Sequence, residues 1–530
     1  MELSCDVLIV GGGTGGVAAA LSSCDAMAQV IICEESDWLG GQLTSQMVPP
    51  DENQWIETQG ANYSYRAFRE KIRDYYRRKS ILKPEVMSGE NFNPGGGSVS
   101  GLCFEPEIGV EVINEMLAPH VVQGRLKILL NTKLTAVENN GDKLSAAEFC
   151  NAQQEKITIT AKVFIDGTEL GDLIKLGGVE YVSGAESQAQ TQEPHALSGA
   201  PEVDNVQAFT WCLALGCDRN RLGHLIAKPE NYEFWHNLIP QLQPNWSGKL
   251  LSFTYSRPTD LTAVSSYLKC VTTASDGIYS GYDFWRYRQV RSAANYAAAT
   301  DEFSIMNWPQ NDYMLGNIID KSPEEMQKHY AAAQELSLSM LYYLQTEAPR
   351  PDGGYGFPEL YAAPAISCTA SGLAKMPYIR ESRRLQALFT VTELHVGEAV
   401  RREFSRQAAE FIDSVGIGYY RIDLHPSSNG RNYIDIGSLP FQIPFRALVP
   451  KRCENLLAAG KNIGTTHITN GCYRLHPVEW SIGEAAGAAA GLAVSRNILP
   501  RLIGEDFNWL GELQQILIQR GVRLAWNINV

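Results

Sequence analysis

The segment that decides the fold is DVLIVGGGTGGVAAALS, residues 6–22. It opens with a mainly apolar, β-branched run of strand length, and Gly11, Gly13 and Gly16 follow at GxGxxG spacing. An alanine-rich stretch comes next, so the order is strand, tight glycine turn and helix. In this order, backbone N–H groups and a helix N-terminus meet a pyrophosphate. The segment therefore predicts a βαβ unit that binds a dinucleotide.

A second strand-like segment ends in an acidic residue at the spacing of a ribose contact. Residues 30–33 read VIIC, and Glu34 follows 23 positions after Gly11. A carboxylate at this point accepts two hydrogen bonds from a ribose diol, and it would repel a 2′-phosphate. The alternative interpretation is a solvated glutamate at the end of a βαβ unit that binds nothing. The context of the motif favours the ribose contact.

Three further segments carry a resemblance to a known family. WLGGQLTS at residues 38–45 holds paired glycines, which let a bulky planar ligand approach the backbone closely. KVFIDGTELGD stands at residues 162–172 and NLLAAGKNIG at residues 455–464. Together with GxGxxG and the acidic strand end, they resemble the FAD-dependent oxidoreductases of the glutathione-reductase-like flavoprotein superfamily.

The resemblance implies FAD as the cofactor. In this superfamily, the segment at 162–172 closes the nucleotide-binding sheet, and the segment at 455–464 touches the pyrophosphate and the ribityl chain. Many members have Asp where this chain has Asn462, and an amide still donates or accepts a hydrogen bond there. The implied cofactor-binding residues are Gly11, Gly13, Thr14, Gly16, Glu34, Glu35, Gly41, Gln42, Thr44, Asp166, Asn462 and Val478.

A helix rich in small residues is predicted near the end of the chain. Pro477 suits its first turn, and glycine and alanine dominate residues 483–491. By the resemblance, its N-terminus faces the N1–C2=O2 edge of the flavin, where the helix dipole stabilises the charge of the reduced ring. His467 and His476 flank the segment facing the flavin, and either is a candidate to accept a substrate proton. Hydrogen bonding to loops or cofactor is the alternative role for these two and for His425.

The sequence MPYIRESRR, residues 376–384, resembles another segment of the same family. Arginine pairs bidentately with carboxylates, so several arginines near one site orient a carboxylate substrate. Tyr378 and Arg380 are the expected substrate-side pair and join the two histidines as candidate catalytic residues. Ion pairs within the protein are the alternative role for these arginines and for Arg286, Arg288, Arg291 and Arg474.

Composition and charge narrow the classes of function. The chain has 45 basic and 59 acidic residues, and its net charge of −14 argues against nucleic-acid binding. No apolar run approaches the roughly 18 residues that a membrane crossing needs. The 11 cysteines lack CxxC spacing and the histidines lack HExxH spacing, so neither a disulfide scaffold nor a metal site is expected. The start of the sequence lacks a targeting pattern, which favours a cytoplasmic protein.

Cys212 and Cys217 have the CxxxxC spacing of a redox disulfide. In dithiol reductases such a pair follows soon after the Gly-Gly segment, whereas here it lies about 170 residues later in a strand-like context. Core thiols are therefore the favoured interpretation. No second GxGxxG turn follows a strand between residues 180 and 440, which argues further against a reductase supplied by NAD(P)H.

The expected fold is α/β. A three-layer ββα FAD-binding domain of Rossmann type is expected at residues 1–180 and 440–500, with an inserted β-rich α+β substrate domain at 181–439. Residues 501–530 are expected to form a helix that packs on the FAD domain, and residues 46–105 a polar, turn-rich insertion. Helices are also predicted at 107–117, 323–347 and 397–412, and strands at 126–130, 134–138, 144–151 and 157–159.

By resemblance, the function is FAD-dependent oxidation of a small, carboxylate-bearing organic molecule by hydride transfer to flavin N5. Oxygen or another acceptor would then reoxidise the flavin. An FAD-dependent monooxygenase is the first alternative, and a non-catalytic or RNA-modifying flavoprotein is the second. The identity of the substrate, the electron acceptor and the oligomeric state stay open.

Overall fold

The structure is a computed structural model that describes residues 1–218, 223–270, 280–350, 352–402, 405 and 407–527. Its helices are α1 (Thr14–Asp25), α2 (Tyr63–Lys79), α3 (Pro84–Met87), α4 (Pro106–Val122), α5 (Asp172–Leu176), α6 (Gln188–Thr191), α7 (Tyr232–Asn237), α8 (Phe284–Tyr287), α9 (Pro323–Thr346), α10 (Pro364–Ser367), α11 (Glu393–Val396), α12 (Glu398–Arg401), α13 (His467–Tyr473), α14 (His476–Arg496), α15 (Pro500–Glu505) and α16 (Phe507–Gln519).

The strands are short, apart from those of the first 170 residues. They are β1 (Glu2–Val10), β2 (Val30–Cys33), β3 (Leu126–Leu129), β4 (Thr132–Asn139), β5 (Leu144–Asn151), β6 (Lys156–Asp166), β7 (Tyr181–Val182), β8 (Phe209–Thr210), β9 (Leu213–Cys217), β10 (Thr254–Ser256), β11 (Ala263–Ser265), β12 (Gln289–Arg291), β13 (Glu302–Met306), β14 (Asp312–Tyr313), β15 (Leu360–Ala362), β16 (Arg384–Leu385), β17 (Ser414–Gly418), β18 (Ile422–Leu424), β19 (Ile434–Ile436), β20 (Phe441–Pro444) and β21 (Leu456–Ala458).

A parallel sheet of Rossmann-like form is built mainly from strands of the first 170 residues. Its strands run in the order β3, β2, β1, β6 and β21, and every pairing is parallel. The β1 residues Val7–Val10 are buried, as an apolar strand with helices on its faces requires. The first half of β6 also pairs with β5, and β5 pairs with β4, both in antiparallel fashion. Because β21 comes from residue 456 onwards, the sheet joins both ends of the chain.

Helices α1 and α14 pack closely against each other beside this sheet. A side chain at Gly483 of α14 would collide with the carbonyl of Gly15, and one at Gly487 would collide with the carbonyl of Ala19 in α1. Almost every residue of both helices is buried. The small residues of α14 therefore permit backbone contact between the two helices, and this contact fixes α14 beside the first glycine turn.

The middle of the chain builds a second apolar cluster from small antiparallel sheets and one long helix. The sheet of β12, β13, β9 and β15 is the largest of these. Ser322 caps α9 by accepting a hydrogen bond from the backbone N–H of Glu325, and Pro323 occupies the first turn. Buried apolar residues from Val206 to Tyr378 form most of this cluster. Those from Leu385 to Val449, apart from Tyr433, pack into the first one.

Most of the predicted helices and strands are confirmed. The helix expected at 323–347 is α9, and the four strands expected between 126 and 159 are β3 to β6. The predicted C-terminal helix is broken at Asp506 into α15 and α16, and α16 buries Leu510, Leu513 and Leu517 against the first cluster. Residues 528–530 of that prediction lie outside the described residues. The predicted domain boundaries stay a prediction.

Two predictions are wrong. The helix expected at 397–412 is limited to α12, because the N–H groups of Ala409 and Phe411 donate to His395 and Gln442 instead of to their own helix. Residues 403, 404 and 406 of that prediction lie outside the described residues. The turn-rich insertion at 46–105 contains the 17-residue helix α2.

None of the helices in the described ranges combines the length and apolar character that a membrane crossing requires.

Candidate active site

The first glycine turn connects β1 to α1 and packs against the end of β6. Gly11 has φ +93°, and a Cβ atom there would lie 2.5 Å from the carbonyl of Gly167. Helix α1 begins at Thr14, and no side chain among the described residues caps its N-terminus. The first N–H groups of a helix carry partial positive charge, so this uncapped end suits an anion such as a diphosphate.

Glu34 stands at the end of β2 beside this turn. Its Oε2 atom accepts a hydrogen bond from the backbone N–H of Gly12 at 2.7 Å, and its Oε1 atom accepts one from Ser36 at 2.9 Å. Each oxygen keeps a lone pair for a ribose hydroxyl. Burial raises the pKa of Glu34 to about 7. The carboxylate of the neighbouring Glu35 pairs with Lys133 at 3.3 Å.

The second glycine segment folds over the first. Gly40 and Gly41 both have positive φ, and the hydroxyl of Thr14 donates to the carbonyl of Gly40 at 3.0 Å. Thr44 donates to Leu39 at 2.6 Å and so closes the turn from within. We use the name cradle for residues 11–16, 40–44 and 459–462, which surround this point.

Lys461 is a buried charged residue of the cradle that sequence analysis missed. Its ammonium group pairs with the carboxylate of Glu169 and lies 3.6 Å from that of Glu479. Glu169 Oε1 lies 2.8 Å from the point where a Cβ atom of Gly13 would stand and 2.6 Å from the corresponding point of Gly41. The side chain of Gln42 bridges Glu479 and the carbonyl of Arg474.

Two predicted cofactor residues brace the cradle through protein contacts. Asp166 accepts hydrogen bonds from Thr168 and from the N–H of Ile174, and burial raises its pKa to about 6. Asn462 donates to the carbonyl of Asp166 at 3.0 Å and accepts from the N–H of Gly460 at 3.1 Å. These contacts tie β21 to β6.

The residues of the cradle fit an FAD molecule on three observations. Among the described residues no side chain caps the N-terminus of α1, Gly13 and Gly41 present backbone without Cβ atoms, and both carboxylate oxygens of Glu34 keep a lone pair for a ribose diol. Glu34 would hold the adenosine ribose, the backbone of residues 11–16 would hold the diphosphate, and residues 41–44 and 461–462 would hold the ribityl side.

The two candidate histidines occupy different surroundings. His476 begins α14, and its Nδ1 atom accepts a hydrogen bond from the backbone N–H of Asp51 at 3.0 Å. Burial lowers its pKa to about 3, so its ring is neutral and carries its hydrogen on Nε2. His467 begins α13, and its Nδ1 atom lies 2.9 Å from the carboxylate of Glu381, deep in the protein.

A cavity of about 580 Å³ is lined in part by Arg474, and we call it the arginine cavity. Tyr378 and Arg380 both line it, as the sequence-based pairing expects, and the Arg380 guanidinium lies 4.7 Å from the centre of the Tyr378 ring. The charged residues in its lining include Arg257, Arg288, Arg380, Arg421, Arg474, Asp51, Asp423, Asp435 and His425.

A closed chain of contacts runs around the arginine cavity. Arg474 donates to the hydroxyl of Tyr378 at 2.7 Å and to Asp423 at 3.2 Å. Asp423 lies 3.7 Å from Nε2 of His425, and Nδ1 of His425 lies 2.6 Å from Asp312. Arg380, 2.9 Å from Asp312, returns the chain to Tyr378. The lining is therefore a fixed array of alternating charges.

Unpaired hydrogen-bond donors are concentrated in this lining. Within the described ranges, buried nitrogens of five lining residues have no hydrogen-bond partner: Nε of Arg288, Arg380 and Arg474, Nδ2 of Asn307 and Nε1 of Trp308. Buried donors without acceptors are costly, so such a set favours a ligand rich in acceptor oxygens.

Sequence analysis missed Asp51, Asp312, Asn307 and Asp423. Only Asp423 leaves a signal, because it stands two positions before His425 in RIDLH and a strand places alternate residues on one face. Asp51 and Asn307 come from loops and Asp312 from a two-residue strand, and none of the three belongs to a recognisable local motif. Cys212 and Cys217 are free buried thiols in or beside β9, and burial raises the pKa of Cys212 to about 12.

Comparison with known proteins gives a family match over nearly the whole chain. The model of a family described as FAD dependent oxidoreductase matches residues 6–517. No curated protein matches the chain.

The solved structures that match this chain have low sequence identity to it. L-proline dehydrogenase from P. horikoshii is 19% identical over 32% of this chain and 23% of its own, with a TM-score of 0.18. A geranylgeranyl bacteriochlorophyll reductase-like protein from Thermoplasma acidophilum is 10% identical, over 99% of this chain and 85% of its own, with a TM-score of 0.33. p-Nitrophenol 4-monooxygenase PnpA from Pseudomonas putida DLL-E4 is 10% identical over 98% and 89%, with a TM-score of 0.35.

Proposed function

The chain belongs to the FAD-dependent oxidoreductase family and its cofactor is FAD, and from this premise we propose that it oxidises a small, carboxylate-bearing organic molecule held in the arginine cavity. The reaction is a dehydrogenation. We also propose that the fold is that of the glutathione-reductase-like superfamily, with residues 1–180 and 440–500 forming the FAD domain and residues 181–439 forming the substrate domain.

The observation that carries the proposal is the set of unpaired donors in the arginine cavity. Arg288, Arg380 and Arg474 are buried, and each leaves Nε without an acceptor in the part of the chain that the structure describes. A carboxylate accepts hydrogen bonds on both oxygens and neutralises a guanidinium group. In a chain of net charge −14, this cavity thus favours an anion.

Arg288 is the arginine best placed to contact the substrate directly. Its guanidinium group lies 3.3 Å from Asp51, and the corresponding Arg380 to Asp312 distance is 2.9 Å. Within the described ranges it donates one further hydrogen bond, at 3.2 Å to the carbonyl of Pro49. A longer ion pair gives up less energy when a substrate carboxylate shares the arginine.

The protein's part in the mechanism is to bind, orient and exclude water. When bound, FAD supplies the two-electron acceptor. The hydroxyl of Tyr378 accepts from Arg474 and keeps its own hydrogen to donate to the substrate. Gln42 of the cradle donates to the carbonyl of Arg474, so the cofactor site and the arginine cavity share one backbone segment. This link holds the substrate at a fixed position relative to the cradle.

The test is anaerobic mixing of FAD-loaded protein with carboxylic acids and with their matched amides. We expect loss of flavin absorbance near about 450 nm with at least one acid and not with its amide. Equal bleaching by an acid and its amide would contradict the proposal. Turnover under ¹⁸O₂ separates dehydrogenation from monooxygenation, since only the latter places label in the oxidised product.

A pair of arginine variants ties this result to the cavity. Arg288→Gln removes the guanidinium group from the lining, and we expect the acid to bind at least tenfold more weakly, while FAD absorbance is retained. Arg286→Gln is the matched control, because Arg286 lies two positions away and its side chain is exposed to solvent. Equal affinities in the two variants would place the carboxylate elsewhere.

A further inference from the structure

We propose that the substrate is a hydroxy acid and that His425 takes its hydroxyl proton, with Asp312 as the positioning residue. This inference deepens the proposed function and rests on it. It assigns the reacting group of the substrate and a catalytic side chain in the arginine cavity.

The tautomer of His425 is fixed by its contact with Asp312. Asp312 is completely buried, and although burial opposes its charge, Arg380 and His425 lower its pKa below the usual range. A carboxylate only accepts hydrogen bonds, so the hydrogen in the 2.6 Å contact belongs to Nδ1 of His425. Nε2 then carries the lone pair that accepts a proton.

Asp312 is itself held from three sides. The hydroxyl of Thr210 donates to Oδ1, and Arg380 pairs with the same oxygen at 2.9 Å. His425 occupies Oδ2. A carboxylate that is fixed in this way orients the imidazole ring and stabilises the imidazolium that forms when Nε2 gains a proton.

The other face of the ring meets the cavity. The His425 side chain is 19% exposed, and Nε2 lies 3.7 Å from Asp423, which is anchored by Arg474. Burial opposes the charge of Asp423, but His425, Arg474 and Arg380 together lower its pKa well below the usual range. A second carboxylate thus lies beside Nε2 on the cavity side of the ring. The charged and titratable groups facing His425 are Asp312, Asp423, Asp435, Arg380, Arg474 and Tyr433.

The other two histidines singled out from the sequence do not line the arginine cavity. Nδ1 of His476 already accepts from the N–H of Asp51, so its ring presents a hydrogen on Nε2 and acts as a donor. His467 lies against Glu381, which also pairs with Arg384, and neither histidine lines the arginine cavity. Of the three histidines singled out from the sequence, His425 alone combines a lone pair with access to the cavity.

The pattern of pairing around the cavity favours a hydroxyl over an amine as the reacting group. Asp51, Asp423 and Asp435 pair with Arg288, Arg474 and Arg421, so each cavity carboxylate has a cationic partner. The unpaired nitrogens described above are all donors. A substrate ammonium would add more donors, whereas a hydroxy carboxylate supplies acceptor oxygens.

In the proposed oxidation, the proton and the two electrons lost by the substrate each have an acceptor. The O–H bond of the substrate breaks and its proton forms a bond with Nε2 of His425. The C–H bond at the same carbon breaks, and its hydrogen leaves with two electrons for the bound FAD, which is reduced. A C=O bond forms, so the hydroxy acid becomes an oxo acid.

The first experiment compares matched substrates on the FAD-loaded protein without oxygen. The probes are lactate with alanine, mandelate with phenylglycine, and 2-hydroxyglutarate with glutamate. We expect flavin reduction by at least one hydroxy acid and by none of the amino acids. Reduction by an amino acid and by no hydroxy acid would overturn this inference and leave the proposed function standing. Failure of every carboxylate would overturn both.

The second experiment tests His425 with the hydroxy acid that reduces the flavin. We expect His425→Asn and Asp312→Asn to slow reduction by about 10²- to 10⁴-fold, with substrate affinity changed less than tenfold, and His425→Asn to abolish the pH dependence of the rate. His236→Asn is the control. His236 is on α7, and its ring lies beside Glu347 and outside the cavity lining. An unchanged rate in His425→Asn would overturn the assignment.

The third experiment requires no turnover. In protein with ¹⁵N-labelled histidine, the signals that His425→Asn removes report the hydrogen on Nδ1 and a bare Nε2. Asp312→Asn presents an amide that favours the opposite tautomer, and its spectrum should show the hydrogen on Nε2. A bare Nδ1 in the wild-type protein would overturn the proposal even if both variants fail to reduce flavin.

Discussion

Gly13 leaves space in the cradle that any side chain would fill. A Cβ atom there would approach Glu169 Oε1 to 2.8 Å, and this end of a flexible side chain can shift, so the fold should survive the change. The added methyl group would stand where the diphosphate meets α1. We expect Gly13→Ala to weaken FAD binding at least tenfold, measured by quenching of flavin fluorescence on titration.

Gly199→Ala is the control for this prediction, because nothing lies within 4 Å of the position of its Cβ atom. The two purified proteins should differ in the ratio of flavin absorbance to protein absorbance. Equal FAD content would show that the first glycine turn does not contact the cofactor.

Glu193 is a buried carboxylate whose charge destabilises the folded state. Burial raises its pKa to about 7, and it accepts a hydrogen bond from Thr466. The folded protein thus keeps a proton that the unfolded chain has lost between about pH 4 and pH 7, so stability falls as pH rises through this window. The Glu193→Gln variant lacks this loss, which is on the order of 3 kcal/mol above pH 7.

We expect Glu193→Gln to gain stability over the wild-type protein on going from pH 5 to pH 8, as measured by urea unfolding of the FAD-free protein. Glu410→Gln, at an exposed position, should show no such change. A difference that shrinks as pH rises would contradict the prediction.

Lys461 and Glu169 illustrate what a sequence does not reveal at the scale of single residues. Glycine spacing identifies the turn, because the backbone geometry itself imposes the pattern. The ion pair joins positions 292 residues apart, and no local spacing marks it. The same holds for Asp312 and His425, which are 113 residues apart.

At the scale of elements, the contact between α1 and α14 depends on small residues. A Cβ atom at Gly483 would collide with the carbonyl oxygen of Gly15, so one helix must move. Overpacking of this kind costs about 1–3 kcal/mol. We expect Gly483→Ala to lower the free energy of unfolding by this amount and to weaken FAD binding, because Gly15 belongs to the cradle.

Gly511 in α16 is the matched control, since open space surrounds its Cβ position. Alanine there should stabilise the protein by about 0.5–1 kcal/mol, because glycine costs conformational entropy within a helix. A loss of stability in both variants would point to general intolerance of alanine, and it would contradict the role given to helix contact.

The elements that sequence analysis located carry their own signals. The strong cap at Ser322 and the apolar periodicity that follows mark α9, and β-branched runs mark β1 and β2. The helix α2 also has such a signal, since Tyr65, Phe68, Ile72 and Tyr76 recur at helical spacing and are buried. Its many charged residues hid the pattern. The helix predicted at 397–412 was wrong because the N–H groups of Ala409 and Phe411 donate to acceptors outside that segment.

At the scale of the whole molecule, the topology was predictable and the arginine cavity was not. Motifs at both ends of the chain predict one shared sheet, and β21 pairs with β6 accordingly. The cavity is built from residues between Asp51 and Arg474, in loops and short strands whose mutual positions follow from packing of the entire chain. Tyr378 and Arg380 were singled out through a resemblance, and both line this cavity.

FAD binding should therefore stabilise distant segments together. Binding to the folded state alone adds about 2.7 kcal/mol at a free concentration of 100 times Kd. In hydrogen–deuterium exchange with and without FAD, we expect peptides from α1 (Thr14–Asp25) and from the start of α14 to gain protection in parallel, because both border the cradle. Helix α9 is the internal control, since its buried residues belong to the second apolar cluster. Protection confined to the first 45 residues would contradict a cofactor site built from both ends of the chain.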